Sequence, residues 1–200
     1  MSNIAILILA AGASSRLGQP KQLLAFKGKT LIRHAAETAL STKCKPVIVV
    51  TGALHDELLS QIKDLEVVAV HNDNWQQGMS TSIAIGIEKA QEYNAEAVLI
   101  MLCDQPLITS GHLNALCSTF SGLEDGPIVA TGYNEISGVP AVFPKKHFQS
   151  LIKLKGEQGA RELMKVHLNS LITVPFIQAS IDVDTSEDYE KLKMRSNPQC

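Results

Sequence analysis

The chain has 200 residues, of which 45% are hydrophobic and 19% charged, with a formal net charge of -2 and a pI near 6.3. That length supports one sizeable core, and we expect a single domain over residues 1–195 with a frayed tail at 196–200. The near-neutral balance excludes a general nucleic-acid or membrane-surface binder, which would need a basic excess, so small-molecule substrates are expected.

Ile4 to Leu9 is an almost unbroken aliphatic run, the pattern of a strand buried on both faces of a parallel sheet. It is too short to cross a bilayer and lacks a basic leader, so we expect no signal peptide and a cytoplasmic location. Cys44, Cys103, Cys117 and Cys200 show no C-x-x-C spacing and read as free thiols in a reducing compartment. After the strand come Ala10, Ala11 and Gly12, then Arg16 and Lys21. Small residues let the main chain approach a ligand, Gly12 can adopt a backbone closed to other residues, and two cations beside exposed N–H groups suit phosphate. The spacing fits neither G-x-x-x-x-G-K-[ST], because Gly18 is followed by Gln19, nor G-x-G-x-x-G, because Ser14 stands two after Gly12.

Thr30 is placed to cap a helix through Leu40, and Val47 to Val50 forms a second strand ending at Thr51-Gly52. A helix at Asp56 to Lys63 leads to a strand at Val67 to Val70, then a polar loop containing Asn72 and Trp75. Trp75 reads as a packing residue. A helix begins at Ser80 or Ser82, and a further apolar strand, Ala97 to Cys103, ends in Asp104-Gln-Pro106. Such alternation predicts an α/β fold, Rossmann-like and three-layered, with a mostly parallel sheet. It also sets Asp104 on the same carboxyl edge as the Gly12 turn, facing it across one cleft. A helix follows from Thr109 or Ser110. Beyond Gly126, strands at Ile128 to Thr131 and Val139 to Phe143 predict an antiparallel C-terminal extension, with Pro140 favouring an edge strand or a bulge. Helices near Lys145 and at Glu162 to His167, a strand at Leu171 to Val174, and Ile181 to Thr185 come next. Thr185 and Asp188 form a capping-box pattern for the last helix, which places Asp184 between strand and helix.

A triphosphate held by the Gly12 turn with Arg16 and Lys21 would need a hard cation, and Mg²⁺ takes one or two carboxylates plus phosphate oxygens. Asp104 is the first candidate ligand and Asp184 the second, with Asp182 competing.

Several segments, in order, strengthen that reading. They are Leu9-Ala-Ala-Gly-Ala-Ser-Ser-Arg-Leu-Gly-Gln-Pro-Lys21, Val50-Thr-Gly52, Gln77-Gly78 with Ser82, and Asp104-Gln-Pro106. Gly138-Val-Pro140, Gly156-Glu-Gln-Gly-Ala-Arg161 and Asp182-Val-Asp-Thr-Ser-Glu-Asp188 complete the set. Together they resemble the nucleotidyltransferases that build molybdenum-cofactor dinucleotides. Ala10-Ala11-Gly12 is more similar to the cytidylyl branch than to the guanylyl branch. Ser186 departs from the proline common there.

The resemblance implies transfer of CMP from CTP to a molybdopterin-type phosphate with release of pyrophosphate and with Mg²⁺ as cofactor. It implies Arg16, Lys21 and Asp104 as catalytic, and Asp104 and Asp184 as metal ligands. The nucleotide would meet Leu9, Ala10, Ala11, Gly12, Ser14, Ser15, Arg16, Lys21, Thr51, Gly52, Asn72, Gly78 and Ser82. The acceptor would meet Gly138, Pro140, Arg161 and Asp182. A transient contact with a molybdoenzyme or its chaperone is the partner this implies. A guanylyltransferase of the same family, or a non-catalytic carrier of the finished cofactor, is the alternative.

Overall fold

The computed structural model describes residues 3–13, 18–121 and 126–196. The elements run β1 (Ile4–Ala10), β2 (Ala25–Phe26), β3 (Lys29–Thr30), α1 (Leu31–Leu40), β4 (Val47–Thr51), α2 (His55–Ile62), β5 (Val68–His71) and α3 (Met79–Glu92). They continue with β6 (Ala97–Leu102), α4 (Ser110–Ser121), β7 (Val129–Tyr133), β8 (Ile136–Pro144), α5 (Phe148–Ile152), α6 (Ala160–Val166), β9 (Ile172–Pro175) and α7 (Ser186–Ser196).

Among the described residues the main sheet has seven strands in the order β5-β4-β1-β6-β8-β7-β9. β1 lies at its heart, every residue buried, and pairs in parallel with β4 and β6. Side chains alternate along a strand. Ile6 and Ile8 therefore join Ile32, Leu58 and Leu113 in one core layer, while Leu7 and Leu9 join Ile83, Ile87 and Phe148 in the other. Two helical layers thus cover both faces. β8 pairs antiparallel with β6 and with β7, and β9 runs parallel to β7.

The elements agree with the sequence pattern, and two details differ, at Thr30 and at Ile181 to Thr185. Of the two settings expected for Pro140 the structure takes the bulge and not the edge strand: β8 lies between β6 and β7. The register jumps between Ala130 and Thr131 of β7, so a bulge at Val139–Pro140 absorbs the proline that a regular central ladder would reject. Thr30 stands at the start of α1 without a side-chain cap bond. The Leu24 carbonyl accepts from the Leu31 N–H at 2.9 Å, and the Thr30 hydroxyl is buried without a hydrogen-bond partner. Ile181 to Thr185 is not a strand; a 3-10 turn at Ile177–Ser180 leads into an irregular approach to α7. The Thr185–Asp188 cap does form, with the Thr185 N–H and hydroxyl donating to Asp188 Oδ2 at 2.9 and 2.6 Å.

A small third cluster bears on the site. Val183, wholly buried, packs with Leu24, Phe26, Leu31 and Leu192. This anchors the C-terminal segment against the chain that follows the N-terminal loop. Cys44 and Cys117, far apart in sequence, meet with their sulfurs 3.2 Å apart in the core, a proximity their spacing did not reveal. No helix among the described residues is long and apolar enough to cross a membrane.

Candidate active site

Leu9 of β1 pairs with Leu102 of β6, so the residues after each strand emerge at one sheet edge, where open α/β folds bind ligands. There the Gly12 turn and Asp104 line a single cavity of about 500 Å³. Leu9, Ala10, Ala11, Lys21, Gly78 and Ser82 line it too, with Ala13, Gln22, Trp75, Gln76, Met79 and Glu157. Ser14, Ser15 and Arg16 lie outside the described residues. Gly12 does not use the left-handed freedom expected of it: its φ lies outside that region. It contributes open space, because a Cβ there would meet nothing within 4 Å.

Lys21 stands on the 3-10 turn Lys21–Leu23 that follows Pro20. Its ammonium donates to Asp104 Oδ2 and, at 2.9 Å, to Asp184 Oδ1. Burial pulls the Lys21 pKa down, but the Asp104 and Asp184 carboxylates outweigh it and hold the ammonium above its usual range. Asp104 does not cap a helix; α4 starts only at Ser110. Its other oxygen, Oδ1, is buried and has no hydrogen-bond partner. Asp184 is set beside it by its neighbour, since the Val183 N–H donates to the Asp104 carbonyl at 3.0 Å. Burial raises the Asp182 pKa, and the Asp184 and Asp104 charges raise it further.

Gln22, which sequence reasoning missed, is buried and donates from Nε2 to the carbonyls of Ala10 and Gly12 at 3.1 and 2.6 Å. It ties the turn to the segment that carries Lys21. An amide directly after the lysine was the available signal.

Thr51, Gly52 and Asn72 do not line the cavity; they support it from behind. The Thr51 hydroxyl bonds His55 Nδ1 at 2.7 Å and the Val70 carbonyl at 3.2 Å. A Cβ on Gly52 would come to 2.6 Å from the Ala11 carbonyl oxygen and 2.8 Å from Trp75 Cβ, so only glycine lets the two loops touch. Asn72 is buried, and its amide donates to the Thr81 and Ser82 hydroxyls at 2.9 Å each, fixing the start of α3. Gly78, at φ 107°, abuts the Gly156 carbonyl, and the Ser80 N–H donates to that carbonyl at 3.1 Å. This contact brings Glu157 to the cavity wall. Trp75 also lines the cavity, beyond the packing role expected of it.

The profile of the family described as MobA-like NTP transferase domain matches residues 6–171. The chain belongs to this family. It is a nucleotidyltransferase with a Rossmann-like, mostly parallel sheet. Nicotine blue oxidoreductase of Paenarthrobacter nicotinovorans is 30% identical, with 92% of this chain and 94% of that protein covered. Molybdenum cofactor cytidylyltransferase of Escherichia coli (strain K12) is 26% identical, with 98% of each covered. Among solved structures, the Rv0371c homologue from Mycobacterium sp. strain JC1 aligns at a TM-score of 0.81 and 28% identity, covering 97% of this chain and 96% of that one.

As in any such transferase, an acceptor must reach the nucleotide, and the residues expected on that side lie past Asp104. Gly138 packs under the Tyr133 ring, where a Cβ would come to 3.1 Å from Cε1. Burial raises the Tyr133 pKa, the Arg161 charge opposes this and the Asp182 charge adds to it. Pro140 turns its carbonyl inward to accept from the Thr131 hydroxyl at 2.6 Å. Gln105 donates to the carbonyls of Val139 and Ala179 at 3.3 and 2.9 Å, tying the residue after Asp104 to the β8 bulge. Its role was not foreseen.

The donor set fits a hard divalent cation. Asp104 Oδ1 is a buried acceptor without a donor, and Asp184 Oδ1 lies on the far side of the same ammonium. Among the described residues no group of three His, Cys, Asp or Glu is arranged to hold a metal. The protein thus offers a carboxylate pair, which leaves other positions for phosphate oxygens and water, as Mg²⁺ prefers.

Proposed function

We propose that the protein transfers CMP from CTP to the terminal phosphate of a molybdopterin-type acceptor, releasing pyrophosphate, with Mg²⁺ as the metal. The observation that carries this reading is the convergence of the Gly12 turn, Lys21 and Asp104 on one cavity, with Asp184 beside them. The open turn would seat the triphosphate on backbone N–H groups. Lys21 would neutralise charge as pyrophosphate departs, a task for a preorganised cation in a partly desolvated site. Asp104 and Asp184 would hold Mg²⁺, which supplies further charge stabilisation. Gly138, Pro140, Arg161 and Asp182 would flank the acceptor. A phosphate oxygen there attacks the α-phosphorus, and the bond from that phosphorus to the pyrophosphate oxygen breaks.

Cytosine over guanine is supported by the Ala10-Ala11-Gly12 sequence at the cavity and by the name of the Escherichia coli relative. An oxidoreductase is the second reading, favoured by the name of the relative at 30% identity. The absence of G-x-G-x-x-G spacing after β1 weighs against nicotinamide binding.

Incubation with each nucleoside triphosphate, Mg²⁺ and a molybdopterin acceptor, following pyrophosphate, tests the proposal. Release with CTP and acceptor together is expected. Release with GTP and acceptor but not with CTP would overturn the base assignment, and the absence of release with every triphosphate would overturn the function.

A further inference from the structure

We propose that Lys21 holds the cation position between Asp104 and Asp184 until a nucleotide arrives, so that divalent metal and triphosphate bind as one unit. The inference rests on the nucleotidyltransfer reading above and adds an order of events to it.

The ammonium of Lys21 donates to Asp104 Oδ2 and Asp184 Oδ1, and these are the two carboxylates that would hold the metal. An ammonium and a divalent ion cannot both sit in contact with one carboxylate pair without strong repulsion, so metal entry requires the lysine to leave. Leaving alone is unfavourable. The Asp104 side chain is only 9% exposed and that of Lys21 22%, and breaking a pair so far removed from water strands a charge.

Departure becomes favourable when two things arrive together: a cation to take over the carboxylates and an anion to receive the ammonium. A metal-bound triphosphate brings both. Lys21 and the Gly12 turn line the same cavity, so an anion seated on the turn occupies space that the lysine already faces. Asp104 Oδ1, without a partner while Lys21 holds Oδ2, remains available as a ligand. Nucleotide and metal must then raise one another's affinity by the same factor, because such coupling is reciprocal. Lysine is suited to the exchange: its ammonium is a point charge on a flexible stem, whereas an arginine fork would hold a carboxylate in two bonds.

The test measures Mn²⁺ bound to the full chain by electron paramagnetic resonance of the free ion, with and without CTP, against a CTP-only control. Wild-type protein is expected to bind Mn²⁺ weakly alone and at least tenfold more tightly with CTP. Lys21→Met should gain at least tenfold in nucleotide-free affinity and lose most of the CTP dependence, and adding Asp104→Asn to it should abolish the gain. Lys21→Arg should stay weak without nucleotide. If Lys21→Met folds poorly, Lys21→Gln is read by the same criteria. Unchanged or weaker nucleotide-free binding in the neutral variant, with CTP-enhanced binding intact in wild type, overturns the exchange alone. Failure of wild-type protein to take up Mn²⁺ even with CTP overturns the exchange and the nucleotidyltransfer reading together.

Discussion

The side-chain amide of Gln22 donates to the carbonyl oxygen of Gly12 at 2.6 Å. The same nitrogen reaches the Ala10 carbonyl at 3.1 Å, so one buried residue fixes two points of the turn that forms the cavity floor. Gln22→Met keeps the volume and removes the donor. Stability should fall by about 1–3 kcal/mol, since the buried Ala10 carbonyl loses its side-chain partner, and the KM for CTP should rise roughly tenfold as the turn loses preorganisation. Calorimetry and initial rates of pyrophosphate release measure these effects. A stable variant with an unchanged KM would show that the turn holds its shape without Gln22.

Asp104 and Asp184 share a lysine but differ in exposure, their side chains being 9% and 45% exposed. A charge in the drier position acts through less solvent screening. Asp104→Asn should therefore lower kcat by roughly 10²–10³-fold, the scale for losing a preorganised electrostatic group, with the far-ultraviolet circular dichroism unchanged. Asp184→Asn should lower it by about tenfold or less. Equal losses would mean that the two carboxylates act as equivalent ligands.

Much of this was legible in the sequence because buried parallel strands leave an unmistakable trace. The runs at Ile4, Val47 and Ala97 marked three sheet neighbours, and topology alone then put Asp104 opposite Gly12. What stayed hidden depends on side chains that meet across long separations. Nothing local says that Val183 would bond the Asp104 backbone, that Gln22 would reach back to Gly12, or that the Leu24 carbonyl would take the first N–H of α1. Pro140 left two settings open, an edge strand or a bulge, and only the long-range pairing of β8 with both β6 and β7 decides for the bulge. Thr51, Gly52 and Asn72 lie behind the cavity wall and not in it, because which residues face a cavity and which brace it is decided by packing, not by order along the chain.

Gly78 and Gly12 line the same cavity yet should respond differently to a methyl group. Gly78 has φ 107°, and a Cβ there would overlap the Gly156 backbone. Gly78→Ala is therefore strained in itself and pushes away the segment that carries Glu157. A loss of about 1–3 kcal/mol is expected, together with faster proteolysis or hydrogen exchange around Gly156. Gly12→Ala meets open space and no left-handed backbone, so it should melt like wild type while raising the KM for nucleotide. Reversal of the two stability effects would contradict the contacts described for these loops.

His112 supplies a pH dependence whose sign can be worked out. The Thr131 hydroxyl has one proton and gives it to the Pro140 carbonyl at 2.6 Å, so His112 Nε2 must be the donor in its 2.8 Å bond to Thr131 Oγ1. The ring is stacked on Phe176 with centroids 4.3 Å apart, and burial pushes its pKa down to about 4. An unfolded histidine titrates near ~6.5. As pH falls below that value the unfolded chain takes a proton that the folded chain refuses, so stability is full above the unfolded pKa and drains away down to about 4. Between pH ~7 and ~5 the loss amounts to about 2 kcal/mol. His112→Gln retains an N–H for Thr131 but cannot titrate, so its stability should fall less over this interval. Urea unfolding of both proteins at each pH isolates the difference, because the other groups titrate alike in the two chains. A wild-type-minus-variant gap that stays constant with pH would mean that His112 accepts a proton as readily in the folded protein as in the unfolded one.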